Sequence, residues 1–470
     1  MKRINRALAI GIAISALFAQ YGRAQQHGTD FVVTAAPVYK QLAELRGGER
    51  FPSGARLLLV HNGKAEPLVP DFAASADADV SFDGKWVMFA GKKNAGDAWQ
   101  IWEVNLQDHK VRSVVATNAD AVRPLYLPGG RLVWAQRTAT GFELDSTDDA
   151  RRQEPPTLNP TAGPGITPLT YFRGNAFPTG VLHDGRILFE AGFPFGAAAS
   201  PEIYLVYADG SGVESYRCDH GRGRWGARQL ASGDVVFTHG ASLGRFSSPL
   251  AHEAQVAAPT AQYAGSIAET GTGAWLLSAR QAGQAHFLIG EWNPSAASRT
   301  QAKLTPVLAV QGSDLIDPVL VAARTRPNRH PSGLHPWSYA NLLALDACIS
   351  RDGISREQPA EVRVEVQDTN GRAVVAGKAP VEQDGSFYVR VPGDRPIRFS
   401  LLNKRGTVVR QEQGWFWARG GEQRYCVGCH AGPERGSENR VPAVLMRSTI
   451  PIPTDLTDLK KILSAERGGQ

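Results

Sequence analysis

At 470 residues the chain is long enough for more than one domain, or for one large repeat fold with a smaller companion. It carries 51 Lys and Arg against 45 Asp and Glu, with a pI near 9.1. Four of those basic residues, Lys2, Arg3, Arg6 and Arg23, lie in the first 24 positions. Without them the balance is 47 to 45, an ordinary surface with no clustered basic patch, which argues against nucleic acid as a partner. Four cysteines are too few for a disulfide scaffold of this size.

Residues 1–24 read as a secretory signal peptide. Lys2, Arg3 and Arg6 form a positive start, residues 7–19 an apolar run too short to span a bilayer, and Gly22-Arg23-Ala24 supplies small residues for cleavage. The first cysteine is Cys218, so no lipid-acceptor cysteine follows the cleavage point. No later stretch approaches the roughly 20 apolar residues of a membrane span. The expectation is a soluble protein in the periplasm or secreted.

From 30 to 323 the pattern is predominantly β. A tight turn followed by an apolar strand recurs as Asp83-Gly84-Lys85-Trp86-Val87-Met88-Phe89, Gly129-Gly130-Arg131-Leu132-Val133-Trp134, Asp184-Gly185-Arg186-Ile187-Leu188-Phe189 and Ser232-Gly233-Asp234-Val235-Val236-Phe237. A weaker copy is Thr272-Gly273-Ala274-Trp275-Leu276-Leu277. The aligned glycines are 46, 55, 48 and 40 residues apart. A repeat of roughly 40–50 residues holding several strands is the signature of a β-propeller blade, and each blade hides its faces only against its neighbours. With an early blade around residues 54–60 this makes five or six blades, six being favoured. The half resembles TolB-type propellers, whose blades carry a similar Asp-Gly-Lys/Arg turn. The Pro- and Gly-rich residues 154–174 interrupt the period and read as a long loop over one face.

Residues 324–333 read as a linker. Strand-like segments follow at 361–367, 386–391, 397–402 and 408–411, divided by turns at Asn370-Gly371, Asp384-Gly385 and Arg405-Gly406. The alternation Val362, Val364, Val366 marks one buried face. A small β-sandwich-like domain is therefore expected over 324–424. A segment at 425–470 then carries the chemistry, with 455–467 as a terminal helix.

The chemistry lies in Cys426-Val427-Gly428-Cys429-His430. In the C-x-x-C-H pattern two thiols form thioethers with the two vinyl groups of one haem, and the adjoining histidine is placed under the iron. Bacterial haem c is attached after export, so the signal peptide and the motif support each other. The competing readings are a disulfide and a structural zinc half-site, but no second Cys/His pair has zinc-finger spacing. His430 is the expected proximal ligand. Candidates for the sixth position are Met446, the only methionine near the motif, and His330 and His335 at the handover from the propeller. A core role for Met446 and His-Pro turns for the two histidines are the plainer readings. Trp415, Trp417 and Tyr425 could wall the haem or fill the sandwich core. Glu422 and Glu434 could shuttle protons or sit solvated in loops. Cys218-Asp219-His220 resembles a small metal cluster, though a loop cysteine beside a charged turn is the plainer reading. Cys348, among Leu342, Leu343, Leu345 and Ile349, reads as buried and apolar.

The run Asp384-Gly385-Ser386-Phe387-Tyr388-Val389, then Leu401-Leu402-Asn403, Trp415-Phe416-Trp417 and Gly421-Glu422-Gln423-Arg424-Tyr425 leading into the motif, with Asn439-Arg440-Val441-Pro442 behind it, resembles the haem-bearing middle domain of hydrazine synthase α-subunit-like proteins. The resemblance covers roughly 323–457, and a propeller ahead of it agrees with that subunit's domain order. It implies a redox haem protein. In the synthase a tyrosine four residues beyond the motif histidine ligates the iron, the histidine serves a zinc, and a further domain carries a second haem. Here that spacing falls on Glu434 and there is one C-x-x-C-H, so His430 is expected as an ordinary proximal ligand. Three functions follow as expectations. The first is a monohaem c electron-transfer protein with a redox partner protein. The second is a haem enzyme or enzyme subunit whose open iron takes a small nitrogen or oxygen species as substrate. The third is a propeller binding module with a structural or sensory haem.

Overall fold

The structure is a computed structural model that describes residues 29–147, 165–171, 173–192, 200–217, 222–295, 303–350, 353–354, 357–368, 370–412, 414–428, 441–447 and 452–453. The signal peptide, most of the 154–174 loop and the 455–467 helix expected from sequence lie outside them.

Six four-stranded antiparallel sheets form a propeller. The innermost strands, in blade order, are Asp314–Leu320, Ala74–Val80, Ala121–Tyr126, Ala176–Val181, Arg224–Gln229 and Gln262–Glu269. Each packs against the next, and the sixth against the first, so the ring closes. Blade 1 takes its inner strand from the end of the propeller sequence and its other three, Phe31–Ala36, Arg56–His61 and Lys64–Pro67, from the beginning. This is why the sequence shows five turn motifs for six blades. The inner hairpin of blade 1 is split between distant segments and has no turn to recognise.

The local chemistry of the repeated turns is visible in blade 2. The Gly84 N–H donates to Ser81 O (2.9 Å) at φ +75°, and Asp83 Oδ1 accepts from the Ser81 hydroxyl (2.6 Å) and the Lys85 N–H (3.1 Å). The strand that follows, Trp86–Lys92, is covered on both faces by neighbouring blades, so its interior is a continuous apolar run rather than an alternating one. Val87, Met88 and Phe89 are fully buried, each contributing about 1.5–3 kcal/mol of hydrophobic stabilisation.

The second part is a sandwich, as the alternation predicts. One sheet runs Gln423–Gly428, Tyr339–Asp346, Phe387–Pro392, Ile452–Pro453, and the other Ala373–Pro380, Glu361–Gln367, Ile397–Leu402, Val408–Gln411. Val362, Val364 and Val366 are fully buried against Phe387, Val389 and Phe399 from both sheets. Four of these strands went unread in the sequence: Ile452–Pro453, Tyr339–Asp346, Ala373–Pro380 and Gln423–Gly428. The last runs across the boundary drawn at 424/425, pairing the first residues of the attachment segment with the sandwich.

The linker is pinned across one face of the propeller. Arg324 reaches both Asp79 oxygens (2.9 Å each) at blade 2, the Asn328 N–H donates to His183 O (2.8 Å) at blade 4, and His330 lies 4.1 Å from the Tyr207 ring centroid. The sandwich is clasped to blades 3 and 4. Glu422 accepts from the Gly212 N–H (3.1 Å), Arg419 donates to the Tyr171 hydroxyl (2.6 Å), and Arg424 donates to Val213 O.

Candidate functional site

Cys426 lies on Gln423–Gly428, an edge strand that runs parallel to Tyr339–Asp346 and pairs Cys426 with Ala344; Phe387 lies opposite Ala344 on the far side. Exposure alternates along this strand: Tyr425, 70 % exposed, and Val427 face outward, while Cys426 is half-buried against the sandwich core. The cysteine is in no disulfide, and burial pushes its thiol up from its ordinary value. Cys429 and His430 lie outside the described residues, as do Cys218-Asp219-His220 and Glu434. Among the described residues no cluster of three metal-ligating side chains occurs.

The sixth-ligand candidates separate. Met446 is 75 % exposed on the short helix Ala443–Arg447, so the core role is corrected. That helix is tied to the turn before Phe387, since the Ala443 N–H donates to Asp384 Oδ2 (2.7 Å) and the Val444 N–H to Ser386 Oγ (3.1 Å). It therefore stands at the same end of the sheet as the row Cys426, Ala344, Phe387. His330 packs against the propeller's Tyr207 with the two rings tilted by 30°. His335 stacks on Trp337 at 4.4 Å, and its N–H donates to Gly421 O (3.3 Å), five residues and roughly 16 Å of extended chain before Cys426.

Other expectations are corrected. Trp417 is buried among Leu169 and Val213 of the propeller, so it seals the domain junction. Trp415 lies under the Arg398 guanidinium at 4.7 Å. Glu422 is neither a shuttle nor a solvated acid. It is 7 % exposed, and its second oxygen accepts from the Arg419 N–H (2.8 Å). Cys348 is half-buried at a strand end, its N–H donating to Asp346 Oδ1 (2.9 Å), and burial followed by Asp346 raises its thiol.

The sequence reading missed a second polar centre in the propeller. Each inner strand breaks register midway, and in three of them the break places Asp77, Arg123 or Asp317 at φ +51° to +58°. The segment between Phe31–Ala36 and Arg56–His61 folds over the channel and brings in Glu44 and Arg50. Arg50 bridges Asp77 (2.7 Å) and Asp317, while Arg123 bridges Glu44 (2.8 Å) and Glu190. Desolvation raises Asp77 to about 6, whereas Arg50 together with the Ser266 N–H outweighs desolvation and pulls Asp317 down to about 2. A cleft of about 420 Å³, walled by Trp99, Phe142, Lys92 and Arg137, opens onto the Arg50–Asp77 pair. The available signal was a charged residue inside an otherwise strand-like run, as in Ala121-Val122-Arg123-Pro124-Leu125-Tyr126.

Residues 346–431 match the family model described as the hydrazine synthase alpha subunit middle domain. Hydrazine synthase subunit alpha of Kuenenia stuttgartiensis is 29 % identical over 99 residues, which is 19 % of this chain and 12 % of that protein. The sequence match thus spans about an eighth of the relative's length. The solved hydrazine synthase of Kuenenia stuttgartiensis superposes with a TM-score of 0.75 at 18 % identity, over 90 % of this chain and 72 % of that one, so the two share a fold. TolB from Acinetobacter baumannii is a more distant likeness, with a TM-score of 0.45 at 14 % identity over 68 % of this chain and 73 % of that one. The chain thus shares the fold of the solved hydrazine synthase, a propeller followed by a sandwich, and residues 346–431 match the hydrazine synthase alpha subunit middle domain model.

Proposed function

We propose that this chain is an exported haem c redox subunit of an enzyme that handles small nitrogen or oxygen species, with one haem bonded to Cys426 and Cys429 and His430 as its proximal ligand. The observation that carries the reading is the C-x-x-C-H motif, whose first residues, 426–428, lie on an edge strand within the stretch that matches the hydrazine synthase alpha subunit middle domain model. The described residues suit the group. Cys426 is free of any disulfide and half-buried on an apolar rim, and among the described residues no strand pairs with the outer side of its edge strand. When bound, haem c supplies one-electron chemistry at its iron.

The chain's own residues do the rest. The parallel pairing with Tyr339–Asp346 fixes where Cys426 stands. The Glu422, Arg419 and Arg424 contacts hold that strand's entry against the propeller, so the propeller acts as a rigid mount. Tyr425 and Val427 present an open apolar face beside the attachment point, which is the surface a redox partner protein would meet. The signal peptide read in residues 1–24 supports work in the periplasm or outside the cell, and no helix among the described residues is long and apolar enough to cross a membrane.

A second reading, a monohaem electron-transfer protein, is favoured by Met446. Its thioether is exposed at the same end of the sheet as Cys426, where His/Met ligation would fill both axial positions and raise the potential. The optical spectrum of the ferric protein, matured with haem-attachment machinery, separates the two. A high-spin spectrum supports small-molecule chemistry at an open position. A low-spin spectrum that turns high-spin in Met446→Ala supports electron transfer.

A further inference from the structure

The charges of the propeller channel do not balance. Glu44, Asp77, Glu190 and Asp317 face Arg50, Arg123 and Arg228, four carboxylates to three guanidinia. Three of the acids are well held. Asp317 takes Arg50 and the Ser266 N–H, Glu190 takes Arg123 and the Gly226 N–H, and Glu44 takes both Nε and Nη2 of Arg123. Asp77 shares Arg50 with Asp317, and its second oxygen accepts from the Arg123 backbone N–H at 3.3 Å. Desolvation raises its carboxyl to about 6 against the pull of Arg50 and Arg123, with Glu44 and Asp317 adding to the rise. The surplus negative charge therefore falls on Asp77.

Asp77 lies on the floor of the cleft of about 420 Å³, a volume in the range of small-molecule sites. Residues 48–54 form one wall, fixed by Lys40 N–H to Arg50 O (2.9 Å) and by Ser75 N–H to Ala55 O (2.9 Å). Blades 2 and 3 form the other with Trp99 and Phe142, so the cleft stands preformed. Its rim is balanced. Arg137 is bonded to Asp120 (2.9 Å) and lies over the Phe142 ring, while Lys92, over the Trp99 ring, is offset by Glu49 on the facing wall. A positive group reaching the floor would meet the surplus charge, and an anion would be repelled by it. A metal ion needs several oxygen ligands, and no cluster of three metal-ligating side chains occurs among the described residues. The apolar walls instead suit an organic body.

We propose that this cleft binds a small organic ammonium, a primary amine about the size of phenethylamine, with its charge on Asp77 and its body between the 48–54 segment and Trp99 and Phe142. The cleft lies at the start of the strand Ala74–Val80, whereas the linker's Arg324 meets Asp79, roughly 16 Å along that strand. The site therefore stands apart from the linker face and does not depend on the function proposed above.

Isothermal titration of the full-length protein with phenethylamine at pH 7.5 tests it. Binding should be saturable, and 3-phenylpropionate, an anion of matching shape, should bind about tenfold more weakly or not at all. A carboxyl titrating near 6 is mostly protonated at pH 5, so affinity should be about tenfold lower there than at pH 7.5. Asp77→Asn, which tolerates the left-handed backbone at this position, should lose about as much at pH 7.5. No saturable binding, equal binding of 3-phenylpropionate, or an unchanged affinity in Asp77→Asn overturns the proposal. If Asp77→Asn does not fold, the pH series on the unaltered protein decides, and an affinity flat between pH 7.5 and 5 overturns it.

Discussion

Replacing Asp317 with Asn isolates what the channel charges do for closure of the ring. Asp317 belongs to Asp314–Leu320, the strand that closes the propeller, and its Oδ1 accepts from the Ser266 N–H at 2.7 Å while its other oxygen faces Arg50. Asn tolerates the left-handed backbone at this position and keeps the Ser266 bond, so the change removes the charge and little else. The carboxyl is pulled down from 3.8 to about 2, and a shift of that size corresponds to about 2 kcal/mol. A depressed acid stabilises the fold above its unfolded value and loses that stabilisation as pH falls through its folded value. The contribution is therefore whole at pH 5 and pH 7 and fades only from about 4 toward 2. Part of the loss is returned, because Asp317 is among the charges that raise Asp77 to about 6, and Asp77 relaxes when it is gone. Amide hydrogen exchange on peptides from 314–320 and 31–36 reads this locally. About 2 kcal/mol corresponds to exchange roughly 30-fold faster in Asp317→Asn at pH 5, where Asp77 is mostly protonated, and the acceleration should be smaller at pH 7, where relief of the charged Asp77 returns part of the loss, both after correction for intrinsic rates. An acceleration below about threefold, or one confined to other blades, would refute the reasoning.

Three further outcomes follow. Glu143 is buried, accepts from Thr170 Oγ1 and from the Arg173 N–H (2.8 Å), and burial pushes it up to about 7. Its folded form holds the proton to higher pH than its unfolded form, so stability should fall by about 2 kcal/mol between pH 5 and 8, and thermal melts of Glu143→Gln should lack that part of the slope. Glu422→Ala leaves the Gly212 and Arg419 N–H groups unmatched at the domain junction, costing about 1–3 kcal/mol. Limited proteolysis within 324–333 should speed up, and an unchanged cleavage rate would show the clasp to be inert. Replacing Cys426 and Cys429 together with Ala should abolish haem staining on a denaturing gel, and a variant that still stains would sink the attachment claim.

What could be read in the sequence was local. Gly84, Gly130, Gly185, Gly233 and Gly273 all adopt positive φ in the turns where the motif placed them, because a tight turn that needs glycine is specified within about five residues. The split blade was not local, and only the early-blade estimate around 54–60, now the strand Arg56–His61, hinted at it. In the sandwich, strands with clean alternation were legible. Gln423–Gly428 was not, because its alternation sets Tyr425 and Val427 outward on an edge and half-buries a cysteine. Trp417 and Glu422 were misread for one reason. Their partners, Leu169 and Gly212, lie more than two hundred residues earlier, and nothing near either residue announces a domain junction. The channel escaped notice because its charges come one or two at a time from separated strands and from the 44–50 segment.

The central claim is covalent haem at Cys426 and Cys429. The most direct test is the intact mass of the exported protein, produced with haem-attachment machinery and measured under denaturing conditions. The account predicts the mature chain, cleaved near residue 24, heavier by one haem. A mature chain at its bare polypeptide mass would contradict it.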